Sequence, residues 1–415
     1  MRRSVLLAVC LIVFVAFVSR GDRDPFFLSK RRLNTDFAQD YIGAKALLNR
    51  EELYPILGPA FERLGLKWNV VHRSTHPPTA FLLALPFTGV DYPAAVRMWA
   101  VIMTLCMVAT GRAFGLPWRW AVLAGLLSLT WPPTRYSTPQ YTPIWLLGLA
   151  LAYRFRGQPF LSGAWVGFAS LPKFFAAPAL LAHVRRRQWL ALAGFAAVWL
   201  AAVLSLVFIR PDSLAAYLVG DTANFMDQIL RSDNGALAVV AWRLAGSVGL
   251  AAVGGLTVLV AWVGWRSREE HAWAGLTWLG IALLPIAWVY SLLPLLPWLV
   301  RVVVVGRVLP CVFGVMALLS PLLGPAPTKR PWSVALCIFT AGIAFVLQAI
   351  GENAFVAGVV ARRFPRLAPF MVTQGEQFQR DSSSRFGHHP SAAPVQQDDR
   401  HRPGTFAADS PEDRG

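Results

Sequence analysis

Long apolar runs, parted by short polar joints that often carry arginine, recur along the chain from residue 4 to residue 350. Backbone at bilayer depth must satisfy its own hydrogen bonds, so such runs predict transmembrane helices of about 20 residues. The first run follows Arg2 and Arg3 and ends at Ser19-Arg20 without a small-x-small cleavage site. That predicts a retained helix with its N-terminus inside. Residues 21–76 are polar and mixed and predict a large first extracytoplasmic loop. The stretch 79–90 is too short to cross and opens with Pro77 and Pro78, which suit a helix start. It predicts a helix on the outer surface. Crossings are then expected at 94–111, 120–131, 144–153, 160–171, 174–184 and 189–208, followed by a second polar outer loop at 210–236. Further crossings are expected at 237–264 and 272–289, a hairpin within 290–323 and a last span at 332–350. The predicted fold class is an all-α polytopic membrane protein with about 12 transmembrane helices in residues 1–360. With 79–90 on the surface, every arginine cluster between crossings falls on the cytoplasmic side, the usual bias of short loops. Residues 380–415 are Ser, Pro, His, Gln, Asp and Arg and predict a disordered cytoplasmic tail.

Composition agrees with this pattern. Of 415 residues, 55% are hydrophobic and 15% charged, against about one quarter charged in a soluble domain. The net charge of +17 would suit nucleic acid, but the arginines sit in short clusters between apolar runs. Membrane lipids, not nucleic acid, are the expected surroundings. Cys10, Cys106, Cys311 and Cys337 lie singly within apolar runs and predict neither a metal site nor a disulfide.

The chemistry-bearing residues gather at the expected outer ends of the spans. Asp36 and Asp40 stand four residues apart in the first loop, on one face if that stretch is helical. Tyr41, Arg73 and His76 follow in the same loop, and Arg135, Gln140, Lys173, Asn234 and Tyr290 come later. Each has an ordinary alternative. Asp36 or Thr35 could cap a loop helix, Asp40 could be a structural partner, and His76 a turn residue. Gln140 and Asn234 could be caps, and Tyr290 a belt aromatic. Lys173 is the only lysine between Lys67 and Lys329 and interrupts a strongly apolar segment. A charge there is either functional or snorkels to the interface. There is no HExxH, no GxxxxGK[ST] and no His/Cys/Glu cluster, which argues against metal hydrolysis and ATP hydrolysis. The acids beyond Glu62 fall mostly in loops, unlike those of a proton-coupled transporter.

Six segments in order resemble glycosyltransferase family 87. TDFAQDYIGAKALLNREELY is similar to its first-loop signature, and THPPTAFLLALP to its Tyr-Pro-Pro or His-Pro-Pro segment. TPQYTPIWLL resembles its Gly-Gln-x-Asn segment, with Pro139 for Gly and Thr142 for Asn. SGAWVGFASLPKFFAAPALL resembles its lysine-bearing helix end. SDNGALAVVAWR keeps Asn234 and Arg243 of another segment, and LLPIAWVYSLLP has Tyr290 where many members carry His. The resemblance covers about residues 30–300. It implies a GT-C membrane fold and an enzyme, a hexosyltransferase most often specific for mannose. Its donor would be a polyprenyl-phosphate sugar, its acceptor a glycolipid or glycan at the outer face of the cell membrane, and its reaction an inverting single displacement. A departing phosphate needs charge stabilisation and an attacking hydroxyl needs a base. The expected minimum is therefore Asp36, aided by Asp40, as catalytic carboxylates. Lys173 with Arg73, His76 or Arg135 would hold the donor phosphate, and Tyr41, Gln140, Asn234 and Tyr290 would contact substrate. No cofactor and no metal are expected. A lipid-linked sugar flippase with the same outer charges is the alternative.

Overall fold

A computed structural model of the chain describes residues 33, 35–66, 71–128, 140–231, 234–287, 289–305, 308–322 and 331–352. All regular structure among them is helical. The expected first helix, residues 21–32 and the 380–415 tail lie outside the described residues.

The segment expected to be the first outer loop is folded over its described residues. It yields α1 (Phe37–Asn49) and α2 (Leu57–Arg63). Arg50 ends α1 in a left-handed conformation (φ 57°). Arg210 then places its guanidinium on the carbonyls of Ala46 (3.1 Å) and Glu51, a cation where a helix end carries negative partial charge. Pro77 enters α3 (Pro78–Ala84), which tightens into a 3₁₀ turn at Leu85–Phe87. This stretch is too short to cross, as its sequence predicts. α4 (Tyr92–Ala113) starts at Asp91, whose side chain accepts from Ala94 N at 2.9 Å. Phe37, Tyr41 and Leu47 of α1 are buried in one core with Phe81 and Trp99, and the Phe37 and Trp99 rings stack at 4.7 Å. A Cβ on Gly43 would lie 2.6 Å from the Phe81 ring, so glycine sets the approach of α1 to α3.

α5 (Trp118–Ser128) packs on α4. A second core lies under α6 (Thr142–Arg154), α7 (Pro159–Ser170), a 3₁₀ stretch Phe174–Ala179, α8 (Leu180–Arg185), α9 (Leu190–Ile209) and the later helices. α7 and α9 touch at backbone distance: a Cβ on Gly163 would fall 1.8 Å from Ala191 O, and one on Gly194 2.0 Å from Phe160 O. Residues 210–236, expected to be an outer loop, instead contain a helix, α10 (Ser213–Leu230). Its Leu214, Ala216 and Tyr217 pack on the first core, so its polar residues belong to an amphipathic helix. α11 (Leu237–Arg266) bends at Gly246 (φ 57°, ψ −135°). α12 (Glu269–Ala282) leads to a 3₁₀ stretch Val289–Leu295, and α13 (Leu296–Val305) and α14 (Val308–Leu319) pack together as the expected hairpin. α15 (Pro331–Glu352) is largely buried, and its Ile338 carbonyl accepts from Trp278 Nε1 at 2.7 Å.

Among the described residues α4, α9, α11 and α15 are long and apolar enough to cross a membrane. The chain is a multi-pass membrane protein. The other apolar helices are shorter, so twelve full-length crossings are not found among the described residues. Pro178 and Pro294, each inside a 3₁₀ stretch, explain part of the shortening, because proline removes a helical hydrogen bond and crowds the preceding turn.

Candidate active site

Asp36 occupies the N-cap position of α1, yet its side chain makes no capping bond. Its Oδ2 accepts a hydrogen bond from Gln140 Nε2. The capping alternative therefore does not account for it. One turn further, Asp40 is 1% exposed and its Oδ1 lies 2.6 Å from Nδ1 of His76, itself 2% exposed. Burial pushes the Asp40 carboxyl above the ordinary carboxylate range. His76 opposes that shift, Asp36 adds to it and Lys173 opposes it. The His76 ring also stands 5.9 Å from the ring of Tyr141, the residue after Gln140.

Lys173 approaches from the other side. It follows the end of α7 in extended conformation (φ −164°, ψ 138°). Part of its surface lines a pocket, but the surrounding protein strips most water from its ammonium. This desolvation lowers the lysine from its ordinary value, and Asp36 and then Asp40 oppose the shift. Two carboxylates from α1 and one cation from the α7 junction thus act on one another across the chain. The pocket has about 330 Å³ of empty space including its mouth, and Gln140, Tyr141, Trp145, Lys173, Phe175 and Ser291 are among its walls. Gln140 both holds Asp36 and lines the pocket. A cation able to meet an anion therefore lines this space, and the Asp36 carboxylate is joined to it through Gln140.

The remaining expected residues have other surroundings. Tyr41 is buried, and its hydroxyl donates to Val90 O at 2.6 Å. Asn234 is fully buried. Its Nδ2 donates to Ile229 O (3.2 Å) and Pro285 O (2.9 Å), and its Oδ1 accepts from Ala236 N (2.9 Å) and Ala287 N (3.1 Å). It clips the start of α11 to the turn leading toward Ser291. The Arg73 guanidinium lies at the surface against Glu52 Oε1 (2.6 Å) and Tyr54 O. Arg135 and the Tyr290 side chain lie outside the described residues. Among the described residues no three His, Cys, Asp or Glu side chains are grouped as metal ligands are.

Sequence reasoning missed Thr79, Tyr141, Trp145, Phe175 and Ser291. Lys173 Nζ lies 5.7 Å from the ring centre of Phe175, where the extended lysine gives way to the 3₁₀ stretch. Ser291 and Thr79 carry no local signal, because the fold alone brings them in.

Comparison with known proteins gives the chain a family. The pattern of glycosyltransferase family 87 matches residues 75–291, from just before His76 to Ser291. No curated protein matches the chain. Among solved structures, ArnT from Cupriavidus metallidurans bound to undecaprenyl phosphate is similar at 15% identity over 89% of this chain and 81% of that one, with a TM-score of 0.37. Because the family pattern spans more than half of its length, the chain belongs to glycosyltransferase family 87 and is a glycosyltransferase.

Proposed function

We propose that this protein moves a sugar, mannose, from a polyprenyl-phosphate carrier to a glycolipid or glycan acceptor at the outer face of the cell membrane, in a GT-C fold of about twelve crossings. Asp36 is the base. The acceptor hydroxyl oxygen attacks the anomeric carbon as Asp36 takes its proton. The bond from that carbon to the phosphate oxygen breaks, its electron pair leaves with the polyprenyl phosphate, and the configuration inverts. Lys173 meets the phosphate charge as it grows, a fixed cation in a site already stripped of water. Phosphate leaves as a stabilised anion, so the step needs no cofactor. The short helices α6 and α7 and the 3₁₀ stretch after Lys173 complete the membrane domain as broken crossings.

The observation that carries this reading is the single pocket shared by Lys173 and Gln140, with Asp36 bound to Gln140. Incubating the purified protein and acceptor lipids with a panel of polyprenyl-phosphate sugars tests it. Release of polyprenyl phosphate from the mannose donor is expected. Folded protein that cleaves none of the donors refutes it, and movement of intact donor across a bilayer without cleavage would point to a flippase.

A further inference from the structure

One four-residue segment, His76-Pro77-Pro78-Thr79, reaches both halves of the site. Nδ1 of His76 lies 2.6 Å from Oδ1 of Asp40, on the helix that begins at Asp36. Thr79 Oγ1 donates to Leu171 O at 2.5 Å, two residues before Lys173. The next carbonyl, of Ala80, accepts from the Tyr141 hydroxyl at 2.7 Å, beside Gln140. His76, Thr79 and Tyr141 are 2%, 1% and 4% exposed, so none of these bonds is shared with bulk water. Between the two ends stand two prolines, and Pro77 holds φ −65° and ψ 155°, which keeps the segment stiff.

Leu171 is the C-cap of α7, at a helix end, where carbonyls have lost their helical partners. Thr79 meets it at the point where the chain leaves the helix and turns extended toward Lys173. The bond therefore sets where the lysine begins. At the other end, His76 answers the buried Asp40 one turn from the Asp36 carboxylate. We infer that His76 and Thr79 are positioning residues, the two ends of a strut that holds the base and the phosphate-binding cation at a fixed separation. Thr79 acts through Lys173 and His76 acts through α1, and neither touches the reacting atoms. The inference rests on the roles given above to Asp36 and Lys173.

The test uses full-length protein in detergent with undecaprenyl phosphate as the binding probe. Thr79→Val keeps the shape of the side chain and removes its donor. Probe affinity should fall about three- to tenfold, the size of one hydrogen bond, with the protein still folded by its melting transition. Thr79→Ser should restore affinity, and Thr79→Val should add nothing to Lys173→Met. His76→Gln keeps a donor toward Asp40 but moves it, so kcat should fall about tenfold or more with probe affinity near that of the parent. Thr79→Val that lowers the melting temperature alone, with affinity and turnover unchanged, overturns the inference, as does an equal effect of both variants on affinity and kcat. If Lys173→Met itself binds the probe normally, the phosphate assignment has failed, which is a different result from a silent Thr79→Val beside a weakened Lys173→Met.

Discussion

Replacing Lys173 with methionine separates a binding role from a structural one. The folded protein disfavours the charged lysine: burial lowers it from the ordinary value of 10.5, and Asp36 and Asp40 only oppose that shift. A group lowered in this way weighs against folding at every pH below its ordinary value, in full below its folded value and fading between the two as pH rises. At neutral pH the penalty is present, so Lys173→Met removes a cost and keeps a long apolar stem. The empty protein should melt no lower than its parent. Donor binding should change in the other direction. A hydrogen bond to a charged group is worth about 1.5–3 kcal/mol, and each 1.4 kcal/mol is about tenfold in affinity. Undecaprenyl phosphate should therefore bind roughly 10- to 100-fold more weakly. The two carboxylates left behind, Asp36 and Asp40, repel an anion further. Lys173→Arg should recover only part of the affinity, because a planar fork replaces a point charge. Affinity and melting temperature measured side by side decide the matter. Unchanged affinity with a lower melting temperature would show that the lysine serves only to neutralise the acids of α1.

Other expectations can be checked separately. Gln140→Leu removes the donor to Asp36 Oδ2 and should lower kcat about tenfold with little change in donor affinity; equal loss in both would give Gln140 a binding role instead. Gly43→Ala pushes a methyl into the Phe81 ring, 2.6 Å from the Cβ position, and should destabilise by about 1–3 kcal/mol, read as a lower melting temperature. In a background without the four native cysteines, an impermeant thiol reagent applied outside should label Arg50→Cys and spare Arg186→Cys, and the reverse pattern would invert the map of the membrane domain.

Much of the helical framework was legible because apolar runs and their punctuation are local. Pro77 and Pro78 announced α3, and its shortness was visible in the run of 79–90. The spacing of Asp36 and Asp40 put both acids on one face if their stretch was helical, but only their partners distinguish them: Gln140 for one, His76 for the other. Those partners lie 104 and 36 residues away, a separation that no local pattern encodes. α10 was missed because Asp221 and Asp227 made 210–236 look like a loop, whereas Leu214 and Tyr217 form its packing face. Asn234 was expected as a substrate contact or a helix cap, and its four backbone bonds emerge only when the 285–287 turn folds onto it. Lys173 was conspicuous because a lone charge in an apolar run is costly wherever it ends up.

The central claim is that Asp36 takes the proton of the acceptor hydroxyl. Asp36→Asn keeps an acceptor oxygen for Gln140 and nearly the same shape, and loses the proton acceptor. Turnover of a polyprenyl-phosphate sugar in the presence of acceptor, measured as release of polyprenyl phosphate, should fall about 10²-fold or more, while the folded variant binds undecaprenyl phosphate no more weakly than its parent. An Asp36→Asn protein that turns over at the parental rate would contradict the account.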